Sequence, residues 1–334
     1  MRHIKSTAIR RTMLQAALLV PMGARFAPAL AQSWPAKPIR LVLPSGAGGG
    51  SDIFGRPMAE FLSKELKQQV VVDNKPGANG IIAHEAVVRQ PADGYTVLIS
   101  YSAAMIANKL LQPKMSHDPL KDFIPVAQIG GGGGNMLIVN PELPIRNMQE
   151  LYDYARSKNG TATYGSWGIS SGGHLVMEMI KTRTGMQITH VPYKTVAQIA
   201  PDIVSGVLPV SWIDSASPLP FIKSGRVRAI AVASPSRLPQ TPDVRTLKEQ
   251  GVDYDIAPVY GLYAPAGTPK SIVDTLNAAV NKWLSLPETV EYFELRQNAP
   301  KPQILTADEF ARKQELDVLL WRKLIEDSKV KLDT

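Results

Sequence analysis

The sequence predicts an α/β protein of about two domains, and three observations lead there. Short apolar runs alternate with amphipathic helical stretches along most of the chain. Two of those runs open into glycine- and serine-rich loops that pass directly into helical patterns. The length, 334 residues, exceeds what one core usually fills. Alternation of this kind argues for parallel sheets covered by helices. Cysteine is absent, which excludes disulfides, zinc-thiolate sites, iron-sulfur clusters and cysteine nucleophiles together.

Residues 1–31 read as a cleavable export signal, cut near Ala31. They carry Arg2, Lys5, Arg10, Arg11 and Arg25 with no acidic residue, then an apolar run at 13–20, then Ala29-Leu30-Ala31. The run is too short for a membrane span, which needs roughly 18 residues. Arg10-Arg11 fits either a twin-arginine or an ordinary secretory route. Removing these residues and their five cations takes the formal net charge from +8 to +3. With no basic block interleaved with aromatics, nucleic acid is not an expected partner.

The first strand, residues 39–43, leads through Pro44 into Ser45-Gly46-Ala47-Gly48-Gly49-Gly50-Ser51-Asp52 and then a helix. Glycines leave backbone amides uncovered, and those at a helix N-terminus are unpaired and lie at the positive end of the dipole, so the loop fits an anion. A glycine turn that merely reverses the chain is the plain alternative. Pro57, in the second turn, is expected to kink this helix. Further strands are predicted at 69–73, 96–100, 136–139, 188–191, 207–213 and 227–233. Asn147 with Glu150, and Thr306 with Glu309, are spaced as capping boxes, and Thr268-Pro269 places a cap before proline at the first helical position. Ile272, Val273, Leu276, Ala279, Val280, Trp283 and Leu284 form one core face; Phe310, Leu316, Leu319, Leu320 and Leu324 form another. Gly130 to Gly134 suits a hinge, a loop or a close approach of chains.

A second strand, loop and helix start runs from Thr161-Ala162-Thr163-Tyr164 through residues 165–173 to a helix at 174–181. Gly168-Ile169-Ser170-Ser171-Gly172 also matches the nucleophile elbow of serine hydrolases, so an exported esterase using Ser170 is one alternative. It lacks partners: the only histidines after Ser170 are His174 and His190, and Glu178 is the only carboxylate between Ser170 and His190. The first loop approaches a dinucleotide fingerprint, but Ser51 replaces its third glycine. The histidines show no metal-ligand spacing. Asp214, at a strand end, faces either a ligand crevice or its own turn. Trp167 is either a lid on its own domain or a platform for an apolar ligand body.

Taken together, these segments resemble the periplasmic solute-binding proteins of tripartite tricarboxylate transporters, the Bug or TctC family. The carriers are Trp34-Pro35-Ala36-Lys37-Pro38-Ile39-Arg40, Gly48-Gly49-Gly50-Ser51-Asp52, Val70-Val71-Val72-Asp73-Asn74-Lys75-Pro76-Gly77-Ala78-Asn79-Gly80, and Pro91-Ala92-Asp93-Gly94-Tyr95-Thr96-Val97-Leu98. Downstream follow Asp118-Pro119-Leu120-Lys121-Asp122-Phe123-Ile124-Pro125-Val126, His190-Val191-Pro192-Tyr193-Lys194 and Ala264-Pro265-Ala266-Gly267-Thr268-Pro269. The resemblance implies a two-lobed Venus-flytrap protein with a mixed sheet in each lobe and two crossovers. Lobe one would comprise residues 33–131 and 258–334, lobe two residues 132–257.

It further implies a non-enzymatic, monomeric binding protein without cofactor or metal. Such a protein would capture an organic acid and hand it to membrane permease subunits, or present it to a sensor kinase. The expected ligand-binding set is Ser45, Gly48, Gly49, Ser51, Asp52 and Ser102 from one lobe. The other would supply Tyr164, Ser166, Trp167, Gly168, Ser170, Ser171, His174, Tyr193 and Asp214. Trp167 stands where the family has a small residue, and Ser170 where it has a second glycine. Trp167 therefore favours an aromatic carboxylate over a small aliphatic diacid.

Overall fold

The computed structural model describes residues 34–331 except Pro113 and Gly132. The export signal read at residues 1–31 lies outside the described residues, as does the middle of the Gly130 to Gly134 patch. The chain runs β1 (Ile39–Leu43), α1 (Gly50–Glu65), β2 (Val70–Asn74), α2 (Ile81–Val88), β3 (Thr96–Tyr101), α3 (Asn108–Leu111) and β4 (Phe123–Gly131). It continues through β5 (Asn135–Val139), α4 (Met148–Ser157), β6 (Thr163–Ser166), α5 (Gly172–Thr184), β7 (Thr189–Pro192), α6 (Ile199–Val204), β8 (Val210–Asp214), α7 (Leu219–Lys223) and β9 (Arg228–Ala233). The last elements are β10 (Val259–Pro265), α8 (Lys270–Leu284), α9 (Pro287–Arg296) and α10 (Ala307–Ser328).

Two five-stranded sheets result, ordered β2-β1-β3-β10-β4 and β7-β6-β8-β5-β9. Both are mixed. In the first, β1 is parallel to β2 and β3 while β10 is antiparallel to β3 and β4; in the second, β6 is parallel to β7 and β8 while β5 is antiparallel to β8 and β9. The inverted strands are those that follow each passage between sheets. The chain leaves β4 and enters the second sheet as β5, and it returns as β10. The parallel strands therefore end, and these two begin, on the same side. That side is the crevice, where α/β proteins hold ligands.

Alternation alone predicts parallel sheets and misses β4 and β10. Pro125 breaks the apolar pattern of β4, but β4 is an edge strand, and its pairing with β10 shifts register next to Pro125. A missing N–H is tolerated there. In β10, Gly261 interrupts the run because a Cβ at that position would lie 2.4 Å from the Phe310 ring. The predicted strand at 207–213 begins only at Val210, with Val207 exposed.

Pro57 lies inside α1 without ending it. The residue four back is Ile53, whose carbonyl loses its helical donor, and the Tyr292 hydroxyl donates to that oxygen at 2.7 Å. Thr306 and Glu309 form the reciprocal capping box. Asn147 caps α4, but Glu150 reaches back to the Arg146 N–H instead of closing the box. Thr268 does not cap: its hydroxyl donates to the Pro265 carbonyl, and Pro269 is itself the N-cap of α8. The core face predicted for α8 is buried apart from the half-buried Ile272. On α10 the expected stripe is only partly right. Phe310 and Leu324 are buried together with Trp321, whereas Leu316, Leu319 and Leu320 are exposed on the far side. The inward residues Phe310, Gln314, Trp321, Leu324 and Ser328 follow one helical face, and the three leucines fall off it.

Candidate functional site: a cleft between the sheets

A cavity of about 220 Å³ opens where the two sheets meet. It is smaller than the roughly 300–1,000 Å³ of drug-sized pockets, so it suits a small molecule. Ser45, Gly49 and Ser51 reach it from the loop after β1, and Ser102 from the end of β3. Asn135, Tyr260 and Asp214 come from the start of β5, the start of β10 and the end of β8, while Trp167 and Gly172 come from the loop after β6.

The first loop exposes backbone. The N-cap of α1 is Gly49, without a side-chain cap, so the start of a 16-residue helix, at Gly50 and Ser51, borders the cavity uncapped, while the Asp52 N–H is taken by the Gly49 carbonyl at 2.9 Å. Ser45 and Ser51 share a hydroxyl hydrogen bond across the loop. Asp52 points the other way. Its carboxylate accepts from the Gly48 N–H, Arg56 Nε and Asn74 Nδ2, each at 2.9 Å. Burial opposes its charge, but the hydrogen bonds from Arg56, Gly48 and Asn74 outweigh burial and hold its pKa below the usual value. Gly48, at φ +76°, makes the turn and does not line the cavity. Asp52 and Gly48 thus brace the loop and do not line the cavity.

The second loop is folded on itself. The Ser166 hydroxyl pairs with His190 Nε2 at 2.7 Å and receives the Ser171 hydroxyl at 3.1 Å. Ser171 also accepts from the His174 N–H as the N-cap of α5. Tyr164 is buried, stacks on His190 and donates to Glu178 at 2.8 Å. The His190 ring lies 4.3 Å from that of His174. Burial, then the neighbouring His174 and Lys181, lower the His190 pKa to about 3. His174 is lowered by burial against the opposing pull of Glu178. Both imidazoles are therefore neutral at pH 7.

Ser170 occupies the left-handed region at φ 64°. It is 1% exposed, and its hydroxyl has no protein partner. His174 Nδ1 accepts from the Ser170 N–H, not from its hydroxyl. No base therefore addresses this serine, and an esterase nucleophile at Ser170 is ruled out by geometry. The Tyr193 hydroxyl is spent on Asp202 at 2.6 Å. Gly168, Ser170, His174 and Tyr193 border a separate open groove beside the cavity, and Ser166, Ser171 and Tyr164 border neither. What the second loop brings to the cavity is the indole of Trp167 and the N-terminus of α5 at Gly172.

Several cavity residues carry no motif of their own. Asn79, at φ 48°, accepts from the Tyr101 hydroxyl at 3.0 Å and donates across the cleft to the Ser170 carbonyl at 3.1 Å. Its only sequence signal is Pro76-Gly77-Ala78-Asn79-Gly80. Asn135 and Tyr260 stay hidden while β5 and β10 are read as parallel or unread. Tyr101 and Tyr260 are half-buried and their pKa values are raised, mainly by desolvation, so their hydroxyls stay protonated. Asp214 accepts from the N–H groups of Ala216 and Ser217 and from the Ser217 hydroxyl, which caps its own turn while one face borders the cavity. Among the described residues, no cluster of three potential metal ligands occurs, and no helix is long and apolar enough to cross a membrane.

The family model for the tripartite tricarboxylate transporter family receptor, TctC, matches residues 54–329. The chain belongs to this receptor family. BugT of Bordetella pertussis is 32% identical over 308 residues, covering 92% of this chain and 94% of BugT. The structure of Rpa4515 from R. palustris with adipate superposes with a TM-score of 0.83 at 33% identity, covering 89% of this chain and 99% of that one. MatC from Rhodopseudomonas palustris with bound malate gives 0.79 at 25% identity, covering 87% and 99%. TctC receptors are solute-binding proteins and not enzymes, and the two-lobed α/β fold is the one they share.

Proposed function

We propose that this TctC receptor is an exported solute-binding protein, its residues 1–31 removed. It closes lobes formed by residues 33–131 with 258–334 and by 132–257 over one small organic carboxylate. It then delivers that acid to the permease of a tripartite tricarboxylate transporter. The observation that carries this reading is that the N-termini of α1 and α5 border the same small cavity. Two helix N-termini supply donors and favourable potential to an anion without a buried cation. Protonated Tyr260 and the amide of Asn135 add neutral donors. The adipate and malate held by the two related structures support a carboxylate.

Closure follows from differential affinity, because a ligand touches both lobes only when they meet. The Asn79 to Ser170 hydrogen bond is a fastening of that state. Trp167 packs over Gly173 and keeps one side toward the cavity, which favours an aromatic or otherwise flat acid. A thermal-shift screen of the mature protein against mono-, di-, tri- and aromatic carboxylates tests the reading. The expected result is stabilisation by one class, with no turnover of ester substrates. Silence across the whole panel, or ester hydrolysis that Ser170→Ala removes, would overturn it.

A further inference from the structure

Opposite its core face, α10 presents a stripe of leucines to solvent. Leu316, Leu319 and Leu320 are 64%, 63% and 45% exposed, while Phe310, Gln314, Trp321 and Leu324 turn inward. Scattered surface leucines need no explanation, but three at spacings of three and four residues make one continuous apolar strip along a helix. The inner face of α10 packs against β4 and α5, and Trp321 borders the ligand cavity from that side. The stripe therefore lies away from the cavity and is no part of the carboxylate site. Charges of opposite sign bracket it. Glu315 precedes the leucines, and Arg322 and Lys323 follow them, all three exposed. Lys323 is held by Asp327 at 3.0 Å, whereas Glu315 and Arg322 enter no ion pair among the described residues.

We propose that this stripe pairs with the same stripe of a second copy of the chain, the two α10 helices running antiparallel about a two-fold axis near Leu319. The order of the charges decides both the partner and the direction. An apolar strip with an acidic end and a basic end is its own complement when turned end for end. Glu315 of each copy then lies beside Arg322 of the other, and the two-fold axis makes two such pairs. A parallel pairing sets Glu315 against Glu315 and Arg322 against Arg322, which repels. A partner of uniform charge satisfies one end and repels the other. Leu316 and Leu319, with the aliphatic stem of Lys323, keep the alternating three- and four-residue spacing of a seam between two helices. One helix pair is a small contact, so the dimer is weak, with a Kd of roughly 10–100 μM.

Sedimentation equilibrium of the mature protein tests the pairing. The wild type is expected to be monomeric at low micromolar concentration and largely dimeric approaching about 1 mM. Leu319→Gln raises the Kd at least about tenfold by placing a polar group at the centre of the seam, and it leaves the melting temperature of the monomer within about 2 °C because the position is exposed. Glu315→Arg and Arg322→Glu each set like charges against one another at both flanks and weaken the dimer about fivefold or more. An equimolar mixture of those two variants recovers association as a heterodimer, since each copy then offers the charge that the other lacks. A wild type that stays monomeric at about 1 mM, or a dimer unaffected by Leu319→Gln, overturns the proposal and leaves the stripe to a different partner. Charge variants that associate as well as the wild type, or a mixture that associates no better than its parts, overturn the antiparallel pairing.

Discussion

The loops at the N-termini of α1 and α5 are written alike, a strand followed by glycines and serines and then a helix, yet they spend their polar groups in opposite ways. In the first, polar side chains turn outward from the cleft: Asp52, Arg56 and Asn74 tie the loop from behind, and the backbone is left to border the cavity. In the second, the hydroxyls of Ser166 and Ser171 and the rings of His174 and His190 are consumed by one another. It presents an indole and one helix end. A serine-rich loop beside a cleft is thus no sign that its hydroxyls meet a ligand. The polar count of a loop says less than where its hydrogen bonds close.

The strongest way to break this contrast is to add a methyl group to each helix start. At Gly173 a Cβ would lie 2.5 Å from Trp212 Cβ and 3.0 Å from the Trp167 ring, both held by packing. Gly173→Ala is expected to destabilise the protein by about 2–3 kcal/mol, read by urea unfolding, because overpacking a tight core forces backbone shifts. At Gly50 the same methyl crowds the Tyr260 hydroxyl, at 2.9 Å, and touches Asp214 Cγ at an ordinary 3.8 Å, both side chains of the cavity wall. Gly50→Ala should leave stability within about 0.5 kcal/mol, alanine favouring a helix, yet weaken carboxylate binding roughly tenfold or more by disturbing donors at the anion. If both variants lost stability equally, or if Gly50→Ala bound normally, the division of labour would be wrong.

Acid sharpens the comparison next, because each loop depends on a different titration. His190 has a folded pKa near 3, below its unfolded value of about 6.5, so its contribution is full above pH 6.5 and is lost as pH falls. Asp52 is also held below the ordinary carboxylate value of about 3.9, so the stability it lends persists until pH falls below about 4. The second loop should therefore loosen first. His84, buried against His117 in the first sheet's half and likewise lowered to about 3, adds to the same window. A direct comparison with His190→Gln isolates the loop. Between pH 7.5 and 5.0 the wild type should lose about 1–2 kcal/mol more than the variant in urea unfolding. Equal losses would mean that His190 is not held neutral.

Much of this contrast lies beyond the reach of sequence. The strand, loop and helix starts are legible at both sites because glycine clusters and apolar runs are local signals. The glycines of the first loop are also where a backbone anion site would place them. Asp52 is not legible as a brace, since its partners Asn74 and Arg56 come together only after β2 has paired with β1. Asn135 and Tyr260 escape because they begin strands whose direction is set by the crossings between sheets, a non-local property. The same holds for Pro57: the sequence correctly removes a helical bond, but the hydroxyl that replaces it comes from Tyr292 in α9. Tyr292→Phe would orphan the Ile53 carbonyl and is expected to cost about 1 kcal/mol in urea unfolding. No measurable cost would show that water serves that carbonyl equally well.

The smallest expected effect falls on the residue with the loudest motif. Ser170 fits a nucleophile pattern, but its hydroxyl has no partner and its backbone sits at φ 64°, which L side chains rarely adopt. Ser170→Gly removes an unpaired buried hydroxyl and relieves the left-handed strain, while giving the unfolded chain more freedom to lose. The first two gains and the last cost are each of order 1 kcal/mol, so the net change should be a stabilisation of at most about 1 kcal/mol. Carboxylate affinity should not change, because the Asn79 bond is to the Ser170 carbonyl, which glycine retains. A clear loss of stability would mean that the hydroxyl has a partner, and a loss of affinity would mean that the second loop meets the ligand through its side chains after all.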